Sequence, residues 1–232
     1  MTYNECHAFG CSFTFGTSLE LESSNWNRMD RFSSLVAEHL GCKEVNHGLQ
    51  GCSTAGILDS VYKFANTRSK QQAADNHNTL LIIQTSILSR LQVSSSSHNN
   101  YYQVMNSDQP EPWIKDFYNM YLAYSYNNLL ASQQLTQNIT VVDGYLKHQG
   151  YSVIWVPLDW DVNSPKSSDF DPRISIVDFG DKDRLTDMLV FADRHRLRLV
   201  DLPDGPKDYH LSKKGHQEVA QKIINCIQRD KP

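Results

Sequence analysis

The chain is predicted to fold as an α/β protein with a parallel sheet and crossover helices. Two observations predict it. Short apolar runs alternate with longer segments of helical periodicity along the sequence. The runs 79–84 and 152–157 (Ser152 through Pro157) also leave no wet face, as strands covered on both sides by helices require. The composition agrees: 232 residues with 40% hydrophobic and 21% charged side chains suit a globular protein with a real core.

Taken in order, strands are expected at 7–10 and 44–46 from their position and the glycine-bearing turns that follow, then at 79–84, 152–157 and 197–202. Helices are expected near 28–40, 54–67, 115–148, 182–195 and 213–228. The third carries Phe117, Tyr121, Leu122, Leu129, Leu135, Ile139, Val142 and Leu146 at helical spacing and reads as a core-facing stripe, with Gly150 placed to cap its end. No repeat or linker divides the chain, so 1–232 is expected to be one domain with polar excursions at 92–112 and 163–172. Loops of that length in a compact domain commonly serve function, here as a substrate-facing rim.

Several function classes are excluded at this level. Lys plus Arg is 22 against 26 Asp plus Glu, a formal charge of −4, so no polyanion-binding bias exists and nucleic acid is not an expected partner. No apolar run approaches the ~20 residues that cross a bilayer, so no membrane partner is expected. Met1 to Glu5 lack the basic flank and apolar block of a signal peptide, which makes the cytoplasm the expected compartment and the sequon at Asn138 meaningless. Five cysteines, an odd number without a Cys-x-x-Cys pair, point to reduced, packed side chains. No His-x-x-x-His pair with an adjacent glutamate and no nucleotide-binding glycine loop occurs, so no metal and no cofactor is expected. The locally basic stretch 193–198, with Asp187, Asp201 and Asp204 nearby, reads as a solvated helix end.

Three segments can carry chemistry. In Phe9-Gly10-Cys11-Ser12-Phe13-Thr14-Phe15-Gly16 a candidate strand ends in a glycine turn that holds a serine where an open α/β sheet leaves its ligand crevice. Taken alone, that serine reads better as one satisfying turn backbone groups. In Asn46-His47-Gly48-Leu49-Gln50-Gly51-Cys52-Ser53-Thr54 a second glycine turn precedes a helix, where unpaired backbone N–H groups can face a developing oxyanion, or where Ser53 or Thr54 simply caps the helix. Before the final helix stands Asp208-Tyr209-His210, a spacing that suits a base oriented by a carboxylate, although a lone Asp-x-His is usually two solvated loop residues.

In their order along an alternating β/α chain, these segments resemble the SGNH or GDSL hydrolase family. Gly10-Cys11-Ser12-Phe13-Thr14 is similar to the family's Gly-Asp-Ser-Leu block, in a form met in bacterial and phage-encoded members, and 46–53 is similar to its second block. The resemblance spans nearly the whole chain through short motifs. It implies a flavodoxin-like three-layer α/β/α sandwich with a mostly parallel five-stranded sheet. It also implies a serine esterase with Ser12 as nucleophile, His210 as base, Asp208 as its orienter, and the backbone amides of Ser12 and Gly51 as oxyanion donors.

Two positions depart from the family pattern. Where the family has Gly-x-Asn-Asp after the third strand, this chain has Gln84-Thr85-Ser86-Ile87; Ser86 is the expected replacement donor, with Gln84 and Arg90 nearby. Asp208-x-His210 is one residue shorter than the usual Asp-x-x-His, with Asp204 or a backbone carbonyl as the fallback orienter. Ser53, Cys11 and Cys52 are poorer nucleophile candidates, better explained by capping and packing. The expected substrate is a small-molecule or glycan ester, foremost an O-acetyl group on a carbohydrate, with Arg90, Tyr102 and Trp160 as substrate-binding candidates and Tyr101 and Trp113 as further loop aromatics. The competing readings are a non-catalytic binding or structural module on the same fold, virion-associated if phage-encoded, and acyl transfer to an acceptor other than water.

Overall fold

The computed structural model describes residues 2–22, 28–69, 73–94, 101–104, 112–158, 170–180, 187–202 and 208–229. Its centre is β3 (Thr79–Gln84), in which every residue is buried. Strands β1 (Glu5–Phe9), β2 (Lys43–Asn46) and β6 (Ser152–Val156) join it in a parallel sheet of order β2-β1-β3-β6. The register places Phe9 opposite Ile83 and Ile83 opposite Trp155. These three side chains therefore share one face, by the two-residue period of a strand.

That face is covered by α4 (Thr54–Ser69) and α6 (Asn128–His148). The Phe9 ring lies 5.4 Å from Phe64 of α4, and Trp155 Nε1 donates to Asp143 of α6 at 3.0 Å. The opposite face, with Cys6 and Ala8, lies under α3 (Phe32–Leu40), which packs on α8 (Lys213–Arg229). Helix α8 buries Val219, Ala220, Ile223, Ile224, Cys226 and Ile227, an i, i+3, i+4, i+7 stripe facing the core. A three-layer α/β/α arrangement results.

The sheet departs from expectation at two places. The run 197–202 is not a strand: the Asp201 carboxylate accepts the Arg198 N–H at 3.1 Å and turns the chain into a 3-10 helix over Leu199–Asp201, leaving only a bridge from Arg198 to Leu211. The main sheet among the described residues thus has four strands rather than five, and the place beside β6 holds a single bridge between Trp155 and Ile176. The expected helix at 115–148 is two helices, α5 (Pro112–Tyr124) and α6. The break arises because the Asn127 side chain accepts the Leu130 N–H and starts a new helix. Gly150 follows the end of α6, its N–H on the Lys147 carbonyl at 3.0 Å.

The excursion at 92–112 contains β4 (Leu91–Ser94) and β5 (Tyr101–Val104), an antiparallel pair. The segment 163–169 lies outside the described residues. Helices α1 (Ser12–Phe15), α2 (Leu19–Glu22) and α7 (Met188–His195) complete the framework. Among the described residues no helix is long and apolar enough to cross a membrane.

Two buried histidines lead us to expect an acid-sensitive fold. His216 Nδ1 accepts the Phe32 N–H at 3.2 Å, a role that needs an unprotonated nitrogen, and burial, with the charges of His210 and Arg31, pushes its pKa down to about 3. His7, bonded to His47 at 3.0 Å, is pushed down to about 4 by burial, which outweighs the opposing pull of Glu5. Both bind a proton more readily unfolded, near 6.5, than folded, so their contribution is complete above that pH and is lost as pH falls toward 4. At ~1.4 kcal/mol per pH unit per group, urea unfolding is expected to show a steep loss of stability from pH 6.5 to 4, and a shallower slope in His216→Gln. An unchanged slope in that variant would contradict the assignment.

Candidate active site

The order β2-β1-β3-β6 reverses direction at β1 and β3, so their carboxyl ends border the crevice where open α/β sheets bind ligands. Ser12 follows β1 directly and opens α1, where its backbone N–H is one of the helix's unpaired donors. Gly51 lies in the loop after β2 at φ +73°, a backbone that side-chain-bearing residues rarely adopt. Among the described residues neither the Ser12 nor the Gly51 N–H has an acceptor.

Asn46 joins these two segments. From the end of β2 its amide donates to the Thr14 carbonyl in α1 at 2.7 Å, and its carbonyl accepts the Gly48 N–H at 2.8 Å. Gly48 approaches so closely that an added Cβ would stand 2.5 Å from the Phe15 nitrogen. From the other side, fully buried Gln84 at the end of β3 accepts the Thr14 hydroxyl and donates to Cys11 Sγ at 3.4 Å. Its amide therefore ties the end of β3 to the segment that bears Ser12.

Asp208 and His210 meet in the loop before α8. His210 Nδ1 is 2.7 Å from Asp208 Oδ1, and the same oxygen accepts the His210 backbone N–H at 2.8 Å. Asp208 Oδ2 accepts the Ser18 hydroxyl at 2.6 Å. Burial pushes the Asp208 carboxyl up, but the hydrogen bonds from Ser18 and from His210, with the charge of the ring, outweigh it and leave the group below its ordinary value. Asp208 is therefore anionic near neutral pH, Nδ1 carries the proton in this pair, and Nε2 is the nitrogen free to accept one. The His210 ring rests 4.9 Å from the ring of Phe13, the neighbour of Ser12. Among the described residues no hydrogen bond joins Ser12 to His210.

Ser86 is fully buried; its N–H donates to Thr54 Oγ1 at 2.9 Å and its hydroxyl oxygen accepts Arg90 Nη1 at 3.0 Å. Arg90 also reaches the Cys52 carbonyl at 3.5 Å, so it connects the β3 loop to the turn bearing Gly51. Ser53 caps α4, its hydroxyl accepting the Gly56 N–H at 3.2 Å, and Cys11 and Cys52 are buried. Tyr102 lies on β5, paired with Val93. Trp160 and Asp204 lie outside the described residues. Sequence reasoning missed Ser18, which belongs to no motif, and the clamp role of Asn46, for which an asparagine two residues before a glycine was the available signal.

No protein-family model matches the chain, and no curated protein matches it by sequence. Solved structures are similar over nearly the full length. A member of the lipolytic G-D-S-L family from Veillonella parvula DSM 2008 has a TM-score of 0.50 at 14% identity, covering 97% of this chain and 98% of that one. An α/β hydrolase enzyme from the metagenome of Lake Arreo, Spain, has a TM-score of 0.50 at 10% identity, covering 99% and 97%. A catalytic mutant of an acetylxylan esterase from Geobacillus stearothermophilus has a TM-score of 0.49 at 14% identity, covering 98% and 96%. The chain has the SGNH/GDSL hydrolase fold, as its motifs implied.

The Asn46 clamp gives a direct test. Asn46→Ala leaves the Thr14 carbonyl and the Gly48 N–H without their partner and is expected to lower stability by about 1–3 kcal/mol in urea unfolding. Gly48→Ala, which forces α1 away from the β2 loop, is expected to destabilise as well. Wild-type midpoints in both variants would show that the two loops hold their positions without the clamp.

Proposed function

We propose that the chain is a serine ester hydrolase in which Ser12 is the nucleophile, His210 the general base and Asp208 the group that orients His210. The observation that carries this reading is the Asp208–His210 pair, whose 2.7 Å bond presents Nε2 as the proton acceptor beside the segment that bears Ser12. His210 Nε2 takes the Ser12 proton as Oγ adds to the ester carbonyl, and the oxyanion is held by the Ser12 and Gly51 N–H groups. Collapse breaks the ester C–O bond, and the alkoxide leaves with the proton from His210. Water, deprotonated by His210, then releases the acid from the acyl-enzyme.

Ser86 takes the third donor position in this proposal. Its oxygen already accepts from Arg90, so the hydroxyl proton is available to the oxyanion and is polarised by the guanidinium behind it. The substrate proposed is an O-acyl ester, foremost O-acetyl on a carbohydrate, with Tyr102 and Trp160 as stacking groups and Arg90 near the acyl site. A binding module on the same fold draws on one observation, the lack of a Ser12–His210 hydrogen bond. Such bonds are commonly long before substrate arrives, which favours the enzyme.

Hydrolysis of p-nitrophenyl acetate tests the assignment. Ser12→Ala and His210→Ala are each expected to lose at least about 10³-fold in kcat, and Ser86→Ala roughly 10²-fold. With an acetylated xylo-oligosaccharide, Tyr102→Ala is expected to raise KM while leaving hydrolysis of the small ester unchanged. Activity retained without Ser12 would refute the nucleophile, and a folded protein inert toward every ester would favour the binding module.

A further inference from the structure

We propose that Ser18 is a positioning residue that fixes the Asp208 carboxylate and, through it, the His210 ring; the proposal rests on the roles given to Asp208 and His210 above. Asp208 Oδ1 is occupied twice by His210, through the backbone N–H and through Nδ1. Among the described residues Oδ2 is held by Ser18 alone. With that bond removed, the carboxylate is held only from the His210 side, through Oδ1, and loses the second anchor that fixes the tilt of its plane against the imidazole.

The backbone of Ser18 points the same way. A serine just ahead of a helix ordinarily adopts an extended backbone and turns its hydroxyl onto the helix N–H groups. Ser18 precedes α2 but sits at φ +68°, the left-handed region, and its hydroxyl goes to Asp208 instead. The other non-glycine residue with positive φ among the described residues, Arg196, occupies a helix C-cap, where that conformation is routine. Ser18 has no such local reason. Strain at a buried residue whose side chain holds a working group is the pattern expected of positioning.

The turn that carries Ser18 is built on the nucleophile itself. The N–H groups of Gly16 and Thr17 both donate to the Ser12 carbonyl, each at 3.0 Å. One turn thus fixes Ser12 at its start and Asp208 at its end, although the two lie 196 positions apart in the chain. The short Asp208-x-His210 spacing is compatible with this arrangement, since it gathers both His210 donors on one carboxylate oxygen and leaves the second for Ser18.

The test compares wild type with Ser18→Ala and Ser18→Gly by two readouts: the low-field NMR resonance of the His210 Nδ1 proton, assigned by its loss in Asp208→Asn, and the kinetics of p-nitrophenyl acetate hydrolysis. Glycine suits the left-handed backbone, so that variant removes the hydroxyl without straining the fold. In both variants the resonance is expected to move upfield or broaden away, with kcat reduced about tenfold, the scale of one hydrogen bond to a charged group, and KM within twofold of wild type. A resonance unmoved in both variants overturns the proposal, as does an unchanged kcat. Wild-type behaviour in Ser18→Gly with loss in Ser18→Ala also overturns it, since backbone strain rather than the hydroxyl would then be responsible. If wild type hydrolyses no ester, the hydrolase reading fails, and the resonance alone decides whether Ser18 positions the pair.

Discussion

The amide of Asn46 spans the gap between α1 and the β2 loop, and the geometry of the candidate site depends on that span. One end holds the Thr14 carbonyl and the other the Gly48 N–H, so one planar group ties α1 to the β2 loop. Backbone bonds carry the pairing a little past the strand ends, the His47 N–H donating to the Ala8 carbonyl at 2.7 Å and the Leu49 N–H to the Gly10 carbonyl at 3.0 Å, and the Asn46 amide adds α1 to that junction. Gln84 adds the third strand to the assembly through Thr14 and Cys11. The ends of three adjacent parallel strands are thereby connected by side-chain amides as well as by backbone hydrogen bonds.

The same substitutions that depart from the family pattern belong to this network. Gln84 stands where a glycine is usual, and its side chain fills the space beside α1 that a glycine would leave. Ser86 stands where asparagine is usual and recruits Arg90, which reaches on to the Cys52 carbonyl. In the proposed mechanism the shorter donor has a cation behind it. The Asp208–His210 pair follows the same pattern, its shorter spacing accompanied by an added contact from Ser18.

Much of the fold was legible because burial on both faces leaves its mark on composition. β3 and β6 carry uninterrupted apolar runs, and the helical stripe of α8 is strict. The run 197–202 has the same look, but its Asp201 carboxylate reaches back to the Arg198 N–H, and one such local bond is enough to divert a short segment from a strand. The break between α5 and α6 was equally local, made by the Asn127 cap inside a stripe that periodicity alone reads as continuous. In the site, the serine and glycine turns were legible because they lie next to strand ends. Ser18 was not, because its partner lies 190 residues away and only the folded chain brings the two together.

The central claim is that His210 activates Ser12, and labelling with a fluorophosphonate probe, read by intact mass and peptide mapping, tests it without knowledge of the natural substrate. The account predicts one adduct, on Ser12, absent in Ser12→Ala and formed much more slowly in His210→Ala. No adduct on the folded wild-type protein, or an adduct on Ser53, would contradict it.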